Sequence, residues 1–167
     1  VVVDDAPGME VPVGAAPFTL PQGGQAAQAM GRTKGGLNTK LSAVVDARGR
    51  ALAVSLAPGQ QHDQHAVLPV LAYVRHRRVV ADKGFDSDIF RTGLRAQRAR
   101  CCIPPKRGQR HPPRFHRGYY KRRHQIENFF GRIKAQRRIS TRYDKLATTF
   151  LGFVQLAAVM DWLTRGF

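Results

Sequence analysis

The 167-residue chain is expected to fold as an α/β domain, a mixed sheet flanked by helices behind an irregular N-terminal segment. Three observations predict it. Short apolar runs with β-like alternation come first, strand and helix patterns then alternate, and the last third carries only helical periodicity. That order of elements suits a layered α/β architecture.

Residues 1–36 form a Pro- and Gly-rich stretch in which Pro7, Pro12, Pro17 and Pro21 alternate with Gly8, Gly14, Gly23 and Gly24. Only Val1-Val2-Val3 reads as a strand, a stub followed by loop. Residues 37–167 are expected to be one compact domain. Thr39 to Asp46 and Ala51 to Leu56, separated by the turn Ala47-Arg48-Gly49-Arg50, predict an antiparallel hairpin that ends at Pro58-Gly59. Val67, Leu68, Leu71 and Val74 fall at helical spacing within His65 to Arg77. Val79-Val80-Ala81 is a short buried strand that leads into Asp82 and stops at Lys83-Gly84. Asp86 or Ser87 caps a helix to about Gln97 with Ile89, Phe90 and Leu94 inward. Cys101 to Ile103 is a further strand, closed by Pro104-Pro105. Helices over about Gly118 to Gln136 and Asp144 to Leu163 complete the chain.

Charge identifies the class of partner. Lys and Arg number 28 against 11 Asp and Glu, a net charge of +17 and a pI near 11.3. Such an excess points to a polyanion, and no basic amphipathic helix or lipidation signal directs it to a membrane. The longest apolar stretch, Phe150 to Leu163, contains Gln155 and Asp161 and reads as too short to span a bilayer. Val1 to Ala16 has no basic n-region of a signal peptide, so secretion is not indicated and a cytoplasmic location is expected. The adjacent Cys101 and Cys102 read as buried, reduced thiols rather than zinc ligands, because they lack the usual Cys-His spacing with His111 and His116.

A scarcity locates the chemistry. Between Ile89 and Tyr143 the only acid is Glu127, among seventeen Lys and Arg. An i,i+4 ion pair with Arg123 would explain it cheaply. On a helix, however, Tyr120, Arg123 and Lys134 fall within roughly 40° of Glu127, beside an apolar stripe of Tyr119, Ile126, Phe130 and Ile133. One acid among bases, next to a core face, is the mixture that a metal-dependent phosphodiester enzyme needs: carboxylates for hard ions and cations for the phosphate. A partner carboxylate should stand at the carboxyl end of a strand, where open α/β sheets bind their ligands. Asp82 does, although a turn role explains it equally well. His62-Asp63 has the residue types of a metal pair, but without further His-Asp spacing it reads as a helix start after a loop.

The stretch VVADKGFD, with Glu127 placed 45 residues after Asp82, resembles the second and third acidic positions of insertion-sequence DDE transposases. Tyr120, Arg123, Glu127 and Lys134 match the spacing of that family's Tyr-Arg-Glu-Lys signature. GRTKGGLNTKLSAVVD from Gly31, PGQQHD from Pro58 and RISTRYDKL from Arg138 are similar to it as well. The likeness runs from Gly23 to about Leu163. It implies a ribonuclease-H-like fold, with Asp82 and Glu127 as catalytic ligands of Mg²⁺ or Mn²⁺. It also implies DNA cleavage and strand transfer during transposition, and a homo-oligomer on DNA that engages transposon ends and target. Tyr120, Arg123 and Lys134, with the neighbouring Lys121, Arg122, Arg137 and Arg138, would contact DNA. In the family a first strand ends in an Asp followed by Ser-Thr. Here Val1-Val2-Val3 leads to Asp4-Asp5-Ala6-Pro7, so Asp4 or Asp5 is the candidate first acid, with Asp4 the third metal ligand.

Two rivals share the composition. One is an inactive or decayed transposase fragment that only binds DNA; the other is a ribosomal-type RNA-binding protein, which leaves the Asp82 to Glu127 arrangement unexplained. Residues 1–36 are too irregular to form an end-recognition domain, so the chain by itself is expected to bind DNA nonspecifically without strand transfer.

Overall fold

The computed structural model describes residues 1–4, 18–19, 28–108 and 112–165. Strands β1 (Val2–Asp4), β2 (Phe18–Thr19), β3 (Gly31–Thr33), β4 (Gly36–Val45), β5 (Ala51–Pro58), β6 (Arg78–Val80) and β7 (Arg100–Cys102) form one mixed sheet in the order β2-β5-β4-β1-β6-β7, with β3 paired to β4. The architecture is a mixed open sheet flanked by helices, consistent with a ribonuclease-H-like fold.

The expected hairpin is β4 with β5, in a register that includes Leu41↔Leu56. Its turn is built by Asp46, whose carboxylate accepts from the amides of Arg48 and Arg50 at 2.9 and 2.8 Å, and by Gly49 at φ +78°, a conformation that costs glycine least. The hairpin begins earlier than its apolar pattern suggests. Gly36 at φ +100° lets β3 turn directly onto β4, so Gly31–Thr33 pair with residues 36–38 across a two-residue turn. A three-residue strand is too short to display alternation.

The central strand β1 runs parallel to β4, with Val2 opposite Val45. It runs antiparallel to β6, with Val2 opposite Val80, Val3 opposite Val79 and Asp4 opposite Arg78. Both faces of the sheet are covered, which is why the inner strands read as unbroken apolar runs. Alternation sends Val2, Ala43, Val45, Val54, Val80 and Cys102 into one core, against Phe129, Ile133, Phe150 and Val154. Val3, Val44, Ala53, Val79 and Ala81 enter the other, against Val67, Val70, Leu71, Phe90 and Leu94.

The helices depart from expectation at identifiable residues. His65 to Arg77 is split into α1 (Asp63–Val67) and a 3₁₀ segment (Leu68–Val74), because Pro69 supplies no amide for an α-helical bond. In α2 (Asp88–Ala96) Ser87 is the N-cap, accepting from the Phe90 amide at 3.3 Å. Asp86 is instead buried, bonded to Arg91 and to the Lys106 amide. Phe90 and Leu94 point inward, but Ile89 is 56% exposed and does not. The helix around Glu127 is assembled from α3 (Arg117–Tyr120), a 3₁₀ turn (Lys121–Arg123) and α4 (His124–Lys134). Its deepest residue is Phe129 with Ile133, while Tyr119, Ile126 and Phe130 pack only partly.

After α5 (Arg137–Ser140), α6 (Ala147–Arg165) begins later than expected, because Asp144 pairs with Arg138 rather than starting the helix. Residues Ala147–Thr164 are long and apolar enough to cross a membrane, in contrast to the expectation drawn from Phe150 to Leu163. This is nevertheless a core helix on one face. Phe150, Leu151, Val154, Ala157 and Ala158 are buried, and Asp161 takes a bidentate bond from Arg132, Nε to Oδ1 at 2.5 Å and Nη2 to Oδ2 at 2.9 Å.

Candidate active site

Sheet alternation aims Asp82. Val80 faces the core beneath α4 and Ala81 the opposite one, so the next side chain but one returns to the α4 side just where β6 has ended. Asp82 caps the 3₁₀ turn Lys83–Phe85 by accepting from the Lys83 amide at 2.7 Å, and it stays exposed. The turn role and the cavity position therefore coexist.

On the facing helix, Phe129 and Ile133 fix the rotation of α4 and leave Glu127 outward. Glu127 and Asp82 line the same cleft, of about 290 Å³, between the β4 and β6 ends and α4. Tyr120 spans to the strand, its hydroxyl 3.4 Å from Asp82 Oδ1. Arg123 Nη1 sits 2.6 Å from Glu127 Oε1. The electrostatics follow from these contacts. Burial, then the charge of Asp82, pushes the Tyr120 phenol up. Burial works against the Arg123 charge, but the bond to Glu127 outweighs it and raises the guanidinium further.

The other basic residues are distributed differently. Lys134 lies exposed along α4 with Nζ 5.4 Å from the Phe130 ring centre, outside the cleft wall. Lys121 and Arg122 are exposed on the 3₁₀ turn, Arg122 over the Tyr119 ring. Arg137 is exposed on α5. Arg138 is engaged within the fold, bonded to Asp144 at 2.7 and 3.2 Å and stacked on Phe153 at 3.6 Å.

Sequence reasoning did not single out Lys40 of the cleft wall, and it read Asp63 as a helix start, which Asp63 is. Lys40 on β4 and Asp63 at the start of α1 both line the cleft and form an ion pair at 2.7 Å. The available signal was that both fall within stretches similar to the transposase family. The register sets Asp4 apart: its partner is Arg78, at the entry of β6, whereas Asp82 follows its exit. Four residues of strand separate the two backbones, about 13 Å. Asp5 lies outside the described residues. Among the described residues no group of three or more His, Cys, Asp or Glu could hold a metal ion.

Comparison with known proteins gives the family. Residues 79–164, which contain Asp82, Tyr120, Arg123, Glu127 and Lys134, match the family described as "Transposase DDE domain". The chain is also 40% identical over 134 residues to a Brucella ovis protein named "Putative transposase for insertion sequence element IS6501", covering 76% of this chain and 99% of that protein. No solved structure matches. With the family domain spanning the helix and strand that build the cleft, and a relative matched over nearly its whole length, this chain belongs to the DDE transposases of insertion sequences.

Proposed function

We propose that the cleft carrying Asp82 and Glu127 performs the DNA strand cleavage and strand transfer of transposition with a divalent ion. The observation that carries this reading is the convergence of the two carboxylates, 45 residues apart, on one cavity flanked by Arg123 and Lys40. The donor set suits Mg²⁺ or Mn²⁺: the wall carries the exposed carboxylates of Asp82 and Glu127, with a third, Asp63, paired to Lys40, and no thiolate or imidazole. An ion of that kind keeps much of its water and completes its shell with substrate phosphate. When bound, it would activate the attacking oxygen and stabilise the leaving one.

The chain's own groups do the rest. Tyr120 holds Asp82 in place, and Arg123, turned from Glu127, meets the scissile phosphate; Lys40 faces the same space. Lys134, Lys121, Arg122 and Arg137 extend a cationic track along the helix for the DNA backbone. Arg138 supports the fold at that end. DNA ends and target are the substrates, a homo-oligomer on DNA would pair two ends, and the protein would work in the bacterial cytoplasm at the nucleoid.

A second reading is favoured by one observation, the lack among the described residues of any group of three metal-binding side chains. A site with two carboxylates binds hard ions weakly, because ligand number sets affinity. On this reading the chain only binds DNA. One experiment separates the two. Cleavage of linear DNA carrying the element's ends is measured with Mg²⁺ or Mn²⁺, with Mn²⁺ binding followed in parallel by electron paramagnetic resonance. Asp82→Asn and Glu127→Gln should each abolish cleavage and weaken Mn²⁺ binding while DNA affinity survives. Cleavage that persists in either pure variant refutes the shared site.

A further inference from the structure

The end of β6 and β7 opposite the carboxylates is a basic edge. Arg75, His76, Arg95, Arg98 and Arg100 are all exposed there. Among the described residues the side chains of Arg75, Arg98 and Arg100 make no hydrogen bond or ion pair. Acids are few at this end: Asp46 is paired with Arg50, and the register brings Asp4 opposite Arg78.

Two of these residues occupy backbone positions that favour glycine. His76 has φ +58° and Arg98 φ +53°. Arg98 closes α2 in a Schellman arrangement, its amide bonded to Arg95 O at 2.8 Å and the Ala99 amide to Leu94 O at 2.9 Å. The His76 amide bonds to Gln97 O at 2.9 Å, so the two left-handed turns sit side by side. For a residue with a side chain this conformation is strained, and glycine would adopt it freely. Strain retained on a surface invites a functional explanation. Charge on an edge strand can keep other strands away, and Arg95 in the last turn answers the helix dipole. Neither role requires a cation at a left-handed position.

We infer that Arg75, His76, Arg98 and Arg100 form a second surface for the phosphate backbone of duplex DNA. It lies at the far end of β6 from Asp82, about 13 Å along the strand. Resting on the reading that the cleft takes DNA, this surface lets one protein hold a second DNA segment, or the continuation of the first, away from the carboxylates. Its chemistry is general, since cations meeting phosphates carry no base specificity.

The test is the salt dependence of binding to a short linear duplex of arbitrary sequence, together with thermal melting of the protein. Arg98→Gly and His76→Gly should raise Tm by relieving the left-handed strain. Both should nevertheless weaken binding, and Arg98→Gly should make the slope of log K against log salt shallower by about 0.9 for the phosphate that is no longer neutralised. Arg75→Gln combined with Arg100→Gln should do the same without the gain in Tm, and Arg98→Lys should keep the wild-type slope. Arg123→Ala serves as the comparison at the cleft. If it flattens the slope and the edge variants do not, the second surface is refuted and the cleft reading stands. If the edge variants flatten it and Arg123→Ala does not, the second surface stands and the cleft reading falls. A lowered Tm in Arg98→Gly, with a slope that Arg98→Lys fails to restore, also refutes the inference, because Arg98 would then be structural.

Discussion

Tyr120 and Asp82, 38 residues apart in the chain, are joined by a hydroxyl-to-carboxylate contact of 3.4 Å that ties the helix of the signature to the end of β6. The phenol is pushed above its usual range, first by burial and then by the Asp82 charge. A phenol raised in the folded state keeps its proton, so the hydrogen bond is intact below the unfolded value near 10 and disappears as pH rises through the folded value. Tyr120→Phe should therefore leave the fold unchanged and lower metal-dependent cleavage about tenfold at every pH from 6 to 9, the order of a positioning effect of about 1.4 kcal/mol. A deficit confined to one side of that range would mean that Tyr120 transfers a proton instead.

The cationic residues on Glu127's side of the helix should separate in a salt series. Arg123 is on the cleft wall, Lys134 is exposed beyond it, and Arg138 is bound to Asp144 and Phe153. Arg123→Ala and Lys134→Ala should each flatten the salt dependence of DNA binding by about one unit, with loss across all sequences. Arg138→Ala should leave the slope near wild type. Equal slopes for all three variants would contradict the partition.

A different arginine pair holds the helical layer to the sheet. Arg132 forks onto Asp161 of α6 and also donates from Nη2 to Gly49 O at 2.8 Å, in the hairpin turn. Removing it takes the bidentate partner from a carboxylate that is 9% exposed. Arg132→Met should cost about 3–5 kcal/mol of stability, read from chemical denaturation. Arg142 plays a similar part at the other end, donating to Gln28 O at 2.8 Å, Lys145 O at 3.0 Å and the Thr39 hydroxyl. Burial lowers its guanidinium pKa. Arg142→Ala should cost about 2–4 kcal/mol, since hydrogen bonds to charged groups are worth about 1.5–3 kcal/mol each and do not add fully. A loss under about 1 kcal/mol in either variant would show that the interaction is dispensable.

These contacts explain what could be read from the chain beforehand. The β4–β5 hairpin, β6 and the Asp82 and Glu127 pair follow from local patterns: alternation, a strand end and a helical face, each written within a few neighbouring residues. Lys40 and Asp63 reach the cleft through sheet order and the placement of α1, which periodicity does not encode. The break at Pro69 was written in the sequence, yet Val67, Leu71 and Val74 keep a helix-like spacing because a 3₁₀ segment also turns its apolar side to the core. RISTRYDKL pointed to family likeness, but its Arg138 and Arg142 direct their charge to Asp144 and to backbone carbonyls. Direction was the least legible property. A strand stub of three valines is equally apolar whichever way it runs, and its direction decides where Asp4 stands.

That direction makes the last prediction. As the first acid of the set, Asp4 would need to share the cleft with Asp82. Instead β1 runs antiparallel to β6, Asp4 lies opposite Arg78, and it is the Val1 end of β1 that reaches the cleft wall. Reversing β1 would exchange its hydrogen-bonding pattern with both neighbours, so no small adjustment brings the Asp4 backbone across the roughly 13 Å to the exit of β6. Asp4→Asn should therefore leave metal-dependent cleavage, Mn²⁺ binding and Tm at wild-type values, whereas Asp82→Asn loses the first two. The measurement is a side-by-side comparison of the two variants on the same linear DNA. If Asp4→Asn loses cleavage and Mn²⁺ binding as completely as Asp82→Asn, while melting at the same temperature and binding DNA with the same salt slope, then Asp4 is a ligand and β1 must enter the sheet in the opposite direction.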